Sequence, residues 1–173
     1  RLRERMVQAL ETLKRSRLGR GRQWLYQLPW YLMIGPPGAG KTTALINSGL
    51  DFPLAEDQAE RRMRGIGGTR DCDWWFTDQA VLIDTAGRYT TQDSDGGMSA
   101  EGTGAGVGAG VGTGAGSRDR AGWQGFLDLL KKHRPRQPVN GVLVCISLAE
   151  VALASAAERD AHARALRRRL REL

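Results

Sequence analysis

Residues 35–42 read Gly35-Pro36-Pro37-Gly38-Ala39-Gly40-Lys41-Thr42, and their flanks leave few folds open. The apolar run from Trp30 to Ile34 follows Pro29 and stops at Gly35, as a buried strand does. Lys41 to Ser48 then reads as a helix, with Gly49 placed to cap its C-terminus. A G-x-x-x-x-G-K-T run between a strand and a helix makes a phosphate loop. Its glycines let backbone N–H groups and the helix N-terminus turn toward phosphate oxygens, Lys41 reaches the β- and γ-phosphates, and the Thr42 hydroxyl is a Mg²⁺ ligand. The candidate cofactor-binding residues are therefore Gly35 through Thr42 with Thr43 beside them, for ATP or GTP with Mg²⁺.

A second motif strengthens the first. Asp73-Trp74-Trp75-Phe76 and Ala80-Val81-Leu82-Ile83 are apolar runs separated by Thr77-Asp78-Gln79, the pattern of an antiparallel hairpin. Asp84 closes the second run, where a carboxylate can hold Mg²⁺ directly or through water. Gly87 completes D-x-x-G, whose glycine N–H meets the γ-phosphate in GTPases. Thr69 fits two roles equally, a switch threonine ligating Mg²⁺ or a turn residue beside Gly67 and Gly68. Arg88 stands where many GTPases carry a water-orienting glutamine, and arginine cannot serve as a base. Arg70 and Arg88 can each stabilise charge on a transferring phosphoryl group or sit solvated, the latter favoured for Arg70. Lys41, Asp84 and Arg88 are the candidate catalytic residues, and Thr42, Thr69 and Asp84 the candidate metal ligands.

The net charge of +7 invites a nucleic-acid partner, so its location decides the matter. Residues 1–22 hold eight Arg or Lys against Glu4 and Glu11, and the remainder is close to neutral. No aromatic residue interleaves with that run, which suits a membrane surface or an acidic partner better than nucleic acid. Cys72 and Cys145 have neither metal nor catalytic spacing and read as packed, reduced thiols. His133 and His162 fall on polar helix faces. No run of eighteen apolar residues and no signal peptide occurs; the start at Arg1 and the stop at Leu173 within a helical pattern suggest a fragment.

Residues 1–27 read as a basic segment with a weak helical period over 2–18, followed by a linker. Residues 28–173 read as the front of a nucleotide-binding domain. Within them, 102–116 alternate glycine with Ala, Val or Thr, and a loop without fixed structure is expected over 92–118. As a Gly-rich coil its ends would lie on the order of 20 Å apart, which a surface loop allows. Trp123, Phe126, Leu127 and Leu130 mark a helix over 119–133, and Val142 to Ile146 a further strand. Ser147-x-x-Glu150 and Ser155-x-x-Glu158 begin a short and a longer helix. Trp74 and Trp75 point to opposite faces of their strand, one inward and one toward a partner element. The fold class expected is α/β, a GTPase-like P-loop NTPase with a mostly parallel sheet, one antiparallel hairpin, and an unfinished C-terminal side.

Leu28-Pro29-Trp30-Tyr31, the phosphate loop, Asn47-Ser48-Gly49-Leu50, Gly68-Thr69-Arg70-Asp71-Cys72-Asp73-Trp74-Trp75-Phe76 and Asp84-Thr85-Ala86-Gly87-Arg88-Tyr89 together resemble the TssM (IcmF) family. Trp123-Gln124-Gly125-Phe126-Leu127 and Asn140-Gly141-Val142-Leu143 extend the likeness, which covers 24–173. The tryptophan-rich hairpin is more specific than the phosphate loop, and the glycine tract is longer than the resemblance leads one to expect. The resemblance implies a nucleotide-binding domain on the cytoplasmic face of the bacterial inner membrane, in a protein anchored by transmembrane helices outside this chain. It implies TssL, TssJ and the tail baseplate of type VI secretion as partners. It also implies a base-reading element beyond Leu173, and it places the basic run just inside the membrane, in keeping with the positive-inside tendency. Three functions compete on these residues: a switch NTPase, a scaffold with a non-hydrolysing nucleotide site, and a small-molecule kinase. The hairpin order and the lack of an arginine-rich lid argue against the kinase.

Overall fold

The computed structural model describes residues 2–15, 24–52, 71–92 and 114–173. Their elements are α1 (Leu2–Arg15), α2 (Trp24–Gln27), β1 (Trp30–Ile34), α3 (Lys41–Ile46), β2 (Cys72–Phe76) and β3 (Val81–Thr85). Then follow α4 (Arg88–Thr91), α5 (Gly114–His133), β4 (Gly141–Val144), α6 (Leu148–Leu153) and α7 (Ala156–Glu172).

The described strands form one sheet in the order β2-β3-β1-β4. β1 is parallel to both β3 and β4, while β2 runs antiparallel to β3 with Trp74 opposite Ile83. Period-2 alternation sorts the side chains between two cores. Trp30, Leu32, Ile34, Trp74, Phe76, Val81 and Ile83 join Met6 and Leu13 of α1 and Trp123, Phe126 and Leu130 of α5. Met33, Trp75 and Leu82 face the other way, against Leu45 of α3 and Phe52. Each core carries an edge-to-face aromatic pair, Trp30 with Trp74 and Phe52 with Trp75, both at 5.2 Å between ring centroids. Trp74 and Trp75 do diverge, and both are buried, one in each core.

Thr77 builds the hairpin turn, its hydroxyl accepting from the N–H groups of Gln79 and Ala80. α1 is fastened to β2 by Arg5, which donates to the Cys72 carbonyl and pairs with Asp73 at 2.7 Å. At the far end of β1, Asn140 exchanges hydrogen bonds with Trp30. The buried Arg134 lies over the Trp30 ring at 4.4 Å, a cation held by an aromatic face.

Several boundaries differ from those the sequence suggests. The loop expected over 92–118 is shorter on both sides: Gln92 is buried, and α5 already begins at Gly114. Helix entry is possible there because Gly116 packs on the Gln92 carbonyl, where an added Cβ would come within 2.8 Å. Tertiary contact thus overrides the poor helical propensity of glycine. Residues 93–113 lie outside the described segments. α3 stops at Ile46 with Asn47 as its C-cap, and Gly49, at φ 75°, makes the turn beyond it. β4 ends at Val144 instead of Ile146, and Asp84 sits inside β3, not after it.

Candidate phosphate-binding site

The loop between β1 and α3 stands at the carboxyl end of β1, where the chain has parallel neighbours on both sides. Strand order reverses at such a point, and open α/β sheets bind ligands in the crevice this leaves. A cavity of about 450 Å³ opens there, lined by Pro37 through Thr43 and by Thr85, Ala86, Gly87 and Arg88. That volume lies in the range of ligand sites.

Backbone demands explain the glycines. Gly38 and Gly40 hold φ of 78° and 79°, a left-handed conformation that side chains disfavour. Gly35 touches the residue just past β4 so closely that a Cβ would fall 2.2 Å from the Cys145 carbonyl oxygen. Across the cavity, a Cβ on Gly87 would come within 2.3 Å of the Pro37 nitrogen. The D-x-x-G turn therefore rests directly on the phosphate loop.

Three side chains converge beneath that contact. Lys41 is buried and donates through Nζ to the carbonyls of Gly35 at 2.8 Å and Pro36 at 3.2 Å. Burial pulls its ammonium below the ordinary lysine range, and the facing Asp84 partly restores it. Asp84 is fully buried and accepts a hydrogen bond from the Thr42 hydroxyl. Nearby, Thr85 Oγ1 donates to the Met33 carbonyl at 2.6 Å, locking β3 to β1.

These motif residues are joined by others whose place at the site no motif marks. Thr90 holds the Gly35 N–H and carbonyl, each at 3.1 Å. Glu150 of α6 stands beside Gly38, its Oε1 3.1 Å from where a Cβ would lie. Asp71 and Asp119 take up Arg88. Only the motif-borne residues were accessible from spacing; the rest arrive through long-range packing.

In comparison with known proteins, the chain is 54% identical over 173 residues, 99% of its length, to type VI secretion system component TssM1 of Pseudomonas aeruginosa. The IcmF-related N-terminal domain family matches residues 116–173. The chain belongs to the TssM (IcmF) family. It spans 14% of the length of the Pseudomonas relative. No solved structure matches it.

Within this TssM-family chain, Pro37 to Thr43, Gly87 and Arg88 line one cavity, while Asp84 accepts from Thr42 and the Gly35 and Pro36 carbonyls accept from Lys41. Thr69 and Arg70 lie outside the described residues. Among the described residues no group of three or more His, Cys, Asp or Glu is placed to hold a metal by itself. Nor is any described helix long and apolar enough to cross a membrane.

Proposed function

We propose that this segment is the ATP- or GTP-binding domain of a type VI secretion membrane-complex component, with a GTPase-like P-loop fold. Binding and hydrolysis would regulate assembly or activity of the apparatus. The observation that carries the reading is the meeting of Lys41, Thr42 and Asp84 at the carboxyl end of β1, under a D-x-x-G turn seated on the glycine loop. The sheet order with antiparallel β2 supports it.

The residues present fit a triphosphate with Mg²⁺. Gly38 and Gly40 leave the loop free of side chains where phosphates approach backbone N–H groups. Lys41 has a charge to offer in exchange for the two carbonyls it now contacts. Thr42 and Asp84 are an oxygen pair of the type Mg²⁺ prefers, and Thr69 is the further proposed ligand. When bound, Mg²⁺ would neutralise charge developing on the phosphates. Gly87 lines the cavity wall, where its N–H would meet a γ-phosphate and let the turn sense it.

The family resemblance supports TssL, TssJ and the baseplate as partners, and an inner-membrane anchor outside this chain with the domain on the cytoplasmic side. The test is nucleotide binding and phosphate release by the intact protein, wild type against Lys41→Ala and Asp84→Ala. The expected result is loss of binding in the first and of Mg²⁺-dependent turnover in the second. Equal values in all three would sink the proposal.

One observation favours a second reading, a nucleotide-stabilised scaffold. Among the described residues, the cavity lining holds Lys41 and Arg88 but no carboxylate or imidazole to activate water. Thermal stabilisation by a triphosphate without phosphate release would select that reading.

A further inference from the structure

Arg88 lies on the cavity wall immediately after Gly87, yet its guanidinium is already engaged. Nη2 donates to Asp71 Oδ1 at 2.6 Å and Nε to Asp119 Oδ1 at 2.8 Å. The two carboxylates belong to different parts of the chain: Asp71 directly precedes β2, and Asp119 stands near the start of α5. The side chains of Arg88, Asp71 and Asp119 are 39%, 30% and 18% exposed, so the cluster is partly shielded from solvent. Burial works against the guanidinium charge, and the bond to Asp119, the neighbouring Tyr89 and the bond to Asp71 together more than offset it.

Tyr89 repeats the bridge. Its hydroxyl donates to the same Asp71 oxygen at 3.2 Å, and its ring lies 4.9 Å from the Arg88 guanidinium carbon. Burial, reinforced by Asp71, pushes that phenol up to about 12, so it remains a donor. α5 makes room for it at Gly122, where a Cβ would come 3.1 Å from the hydroxyl. The two residues that follow the D-x-x-G motif and open α4 are thus tied to the entry of β2 and to α5.

We propose that Arg88 is a positioning residue and not a phosphate ligand. By bridging Asp71 and Asp119 it fixes the Asp84–Tyr89 turn, and with it the Gly87 N–H, against the phosphate loop. The nucleotide consequence rests on the reading given above. Arginine suits the task because its planar fork meets two carboxylates at once, whereas lysine presents a single point charge. Gly87 is packed on Pro36 and Pro37 without slack, so a small tilt of the turn changes the cavity itself. The seat of the turn then depends on α5 and on the segment that enters β2, which gives both a way to report on the site.

The test uses the purified intact protein with Arg88→Ala, Arg88→Lys, Asp119→Asn, the Arg88→Ala/Asp119→Asn pair, and Lys41→Ala. Hydrogen exchange at the amides of Ala86 to Thr90, measured without nucleotide, should quicken about tenfold in Arg88→Ala and Asp119→Asn and less in Arg88→Lys. Unchanged exchange in Arg88→Ala would overturn the bridge. Binding of ATP, GTP and their diphosphates should weaken together, by about tenfold in either single variant, and the double variant should be no worse. Loss confined to triphosphates in Arg88→Ala, with Asp119→Asn binding normally or more tightly, would show that Arg88 meets the γ-phosphate and overturn the proposal. If wild type binds no more nucleotide than Lys41→Ala, the nucleotide reading falls, and the exchange measurement still decides the bridge.

Discussion

β3 and β4 are both parallel neighbours of β1, and both are short apolar segments, yet they live in different surroundings. All five residues of β3 are buried, between β2 and β1 and between the two cores. Among the described residues β4 pairs with β1 alone, and Leu143 and Val144 are 42% and 44% exposed. The apolar surface continues through Ile146 to Leu148 and Leu153 of α6, all exposed. Strand composition does not separate Val-Leu-Ile-Asp from Gly-Val-Leu-Val; the number of hydrogen-bonded neighbours does. β4 has the two-sided apolar character of an inner parallel strand while occupying an edge.

The largest expected effect measures the filled side of that contrast. Ile83 has no exposed surface and packs with Trp74 and Trp30 in the larger core. Ile83→Ala should destabilise the 173-residue chain by about 3–4 kcal/mol in urea denaturation, combining lost transfer energy with a cavity. A cost under about 1 kcal/mol would mean that β3 is not packed on both faces.

The same chemical change at the two ends of the β1–β4 seam gives the next test. A Cβ on Gly35 meets the Cys145 carbonyl, a backbone atom that cannot swing away. One on Gly141 meets only the Tyr31 ring, at 3.0 Å, on a half-buried side chain. Gly35→Ala should therefore destabilise by about 2–3 kcal/mol, and Gly141→Ala by well under half of that. Equal losses would show that the β1–β4 seam is as rigid at Gly141 as it is at Gly35.

These neighbours also mark what the sequence made legible. Trp30–Ile34, the Trp74-Trp75-Phe76 hairpin and the G-x-x-x-x-G-K-T run announce themselves because period, turn residues and motif spacing are local signals. Lys41, Thr42 and Asp84 could be named for the same reason. Thr90, Asp71, Asp119 and Glu150 could not: each reaches the site from another element, and even where a helix-start pattern marked Glu150 and a family stretch held Asp71, no local signal assigned either to the site. The start of α5 was illegible because glycine argues against helix, and only its approach to Gln92 explains the outcome. The weak helical period over 2–18 was legible as a thin packing stripe through Leu2, Met6, Leu10 and Leu13, but not that Met6, Ala9 and Leu13 would be buried in the larger core.

The two cysteines sharpen the contrast through pH. Burial pushes the Cys72 thiol, on β2, from 9.0 up to about 12. Cys145, just past β4, is only half-buried, and its shift is upward for the same reason. For Cys72 the unfolded chain loses its proton first, so the folded state is favoured below pH 9 and that advantage fades between pH 9 and about 12. The stability difference between wild type and Cys72→Ala should accordingly fall by about 1 kcal/mol per pH unit across that window. A difference independent of pH would refute the burial of that thiol. Iodoacetamide should label Cys145 well before Cys72 under native conditions.

The smallest effect is the most diagnostic for β4. Val144 is 44% exposed and lies on a strand with a single partner, so Val144→Ala removes little buried surface. In the 173-residue chain it should change stability by less than about 0.5 kcal/mol. The apolar character of Leu143, Val144 and Ile146 then has no counterpart in folding energy within this segment, because water still reaches those side chains. Repeating the substitution in a longer form of the protein converts this into a test of the edge. If the cost stays small, β4 is an edge strand in both settings. If it rises above about 1.5 kcal/mol, the strand has gained a second neighbour there, and the difference between β3 and β4 reflects how much chain is present, with no difference in the strands themselves.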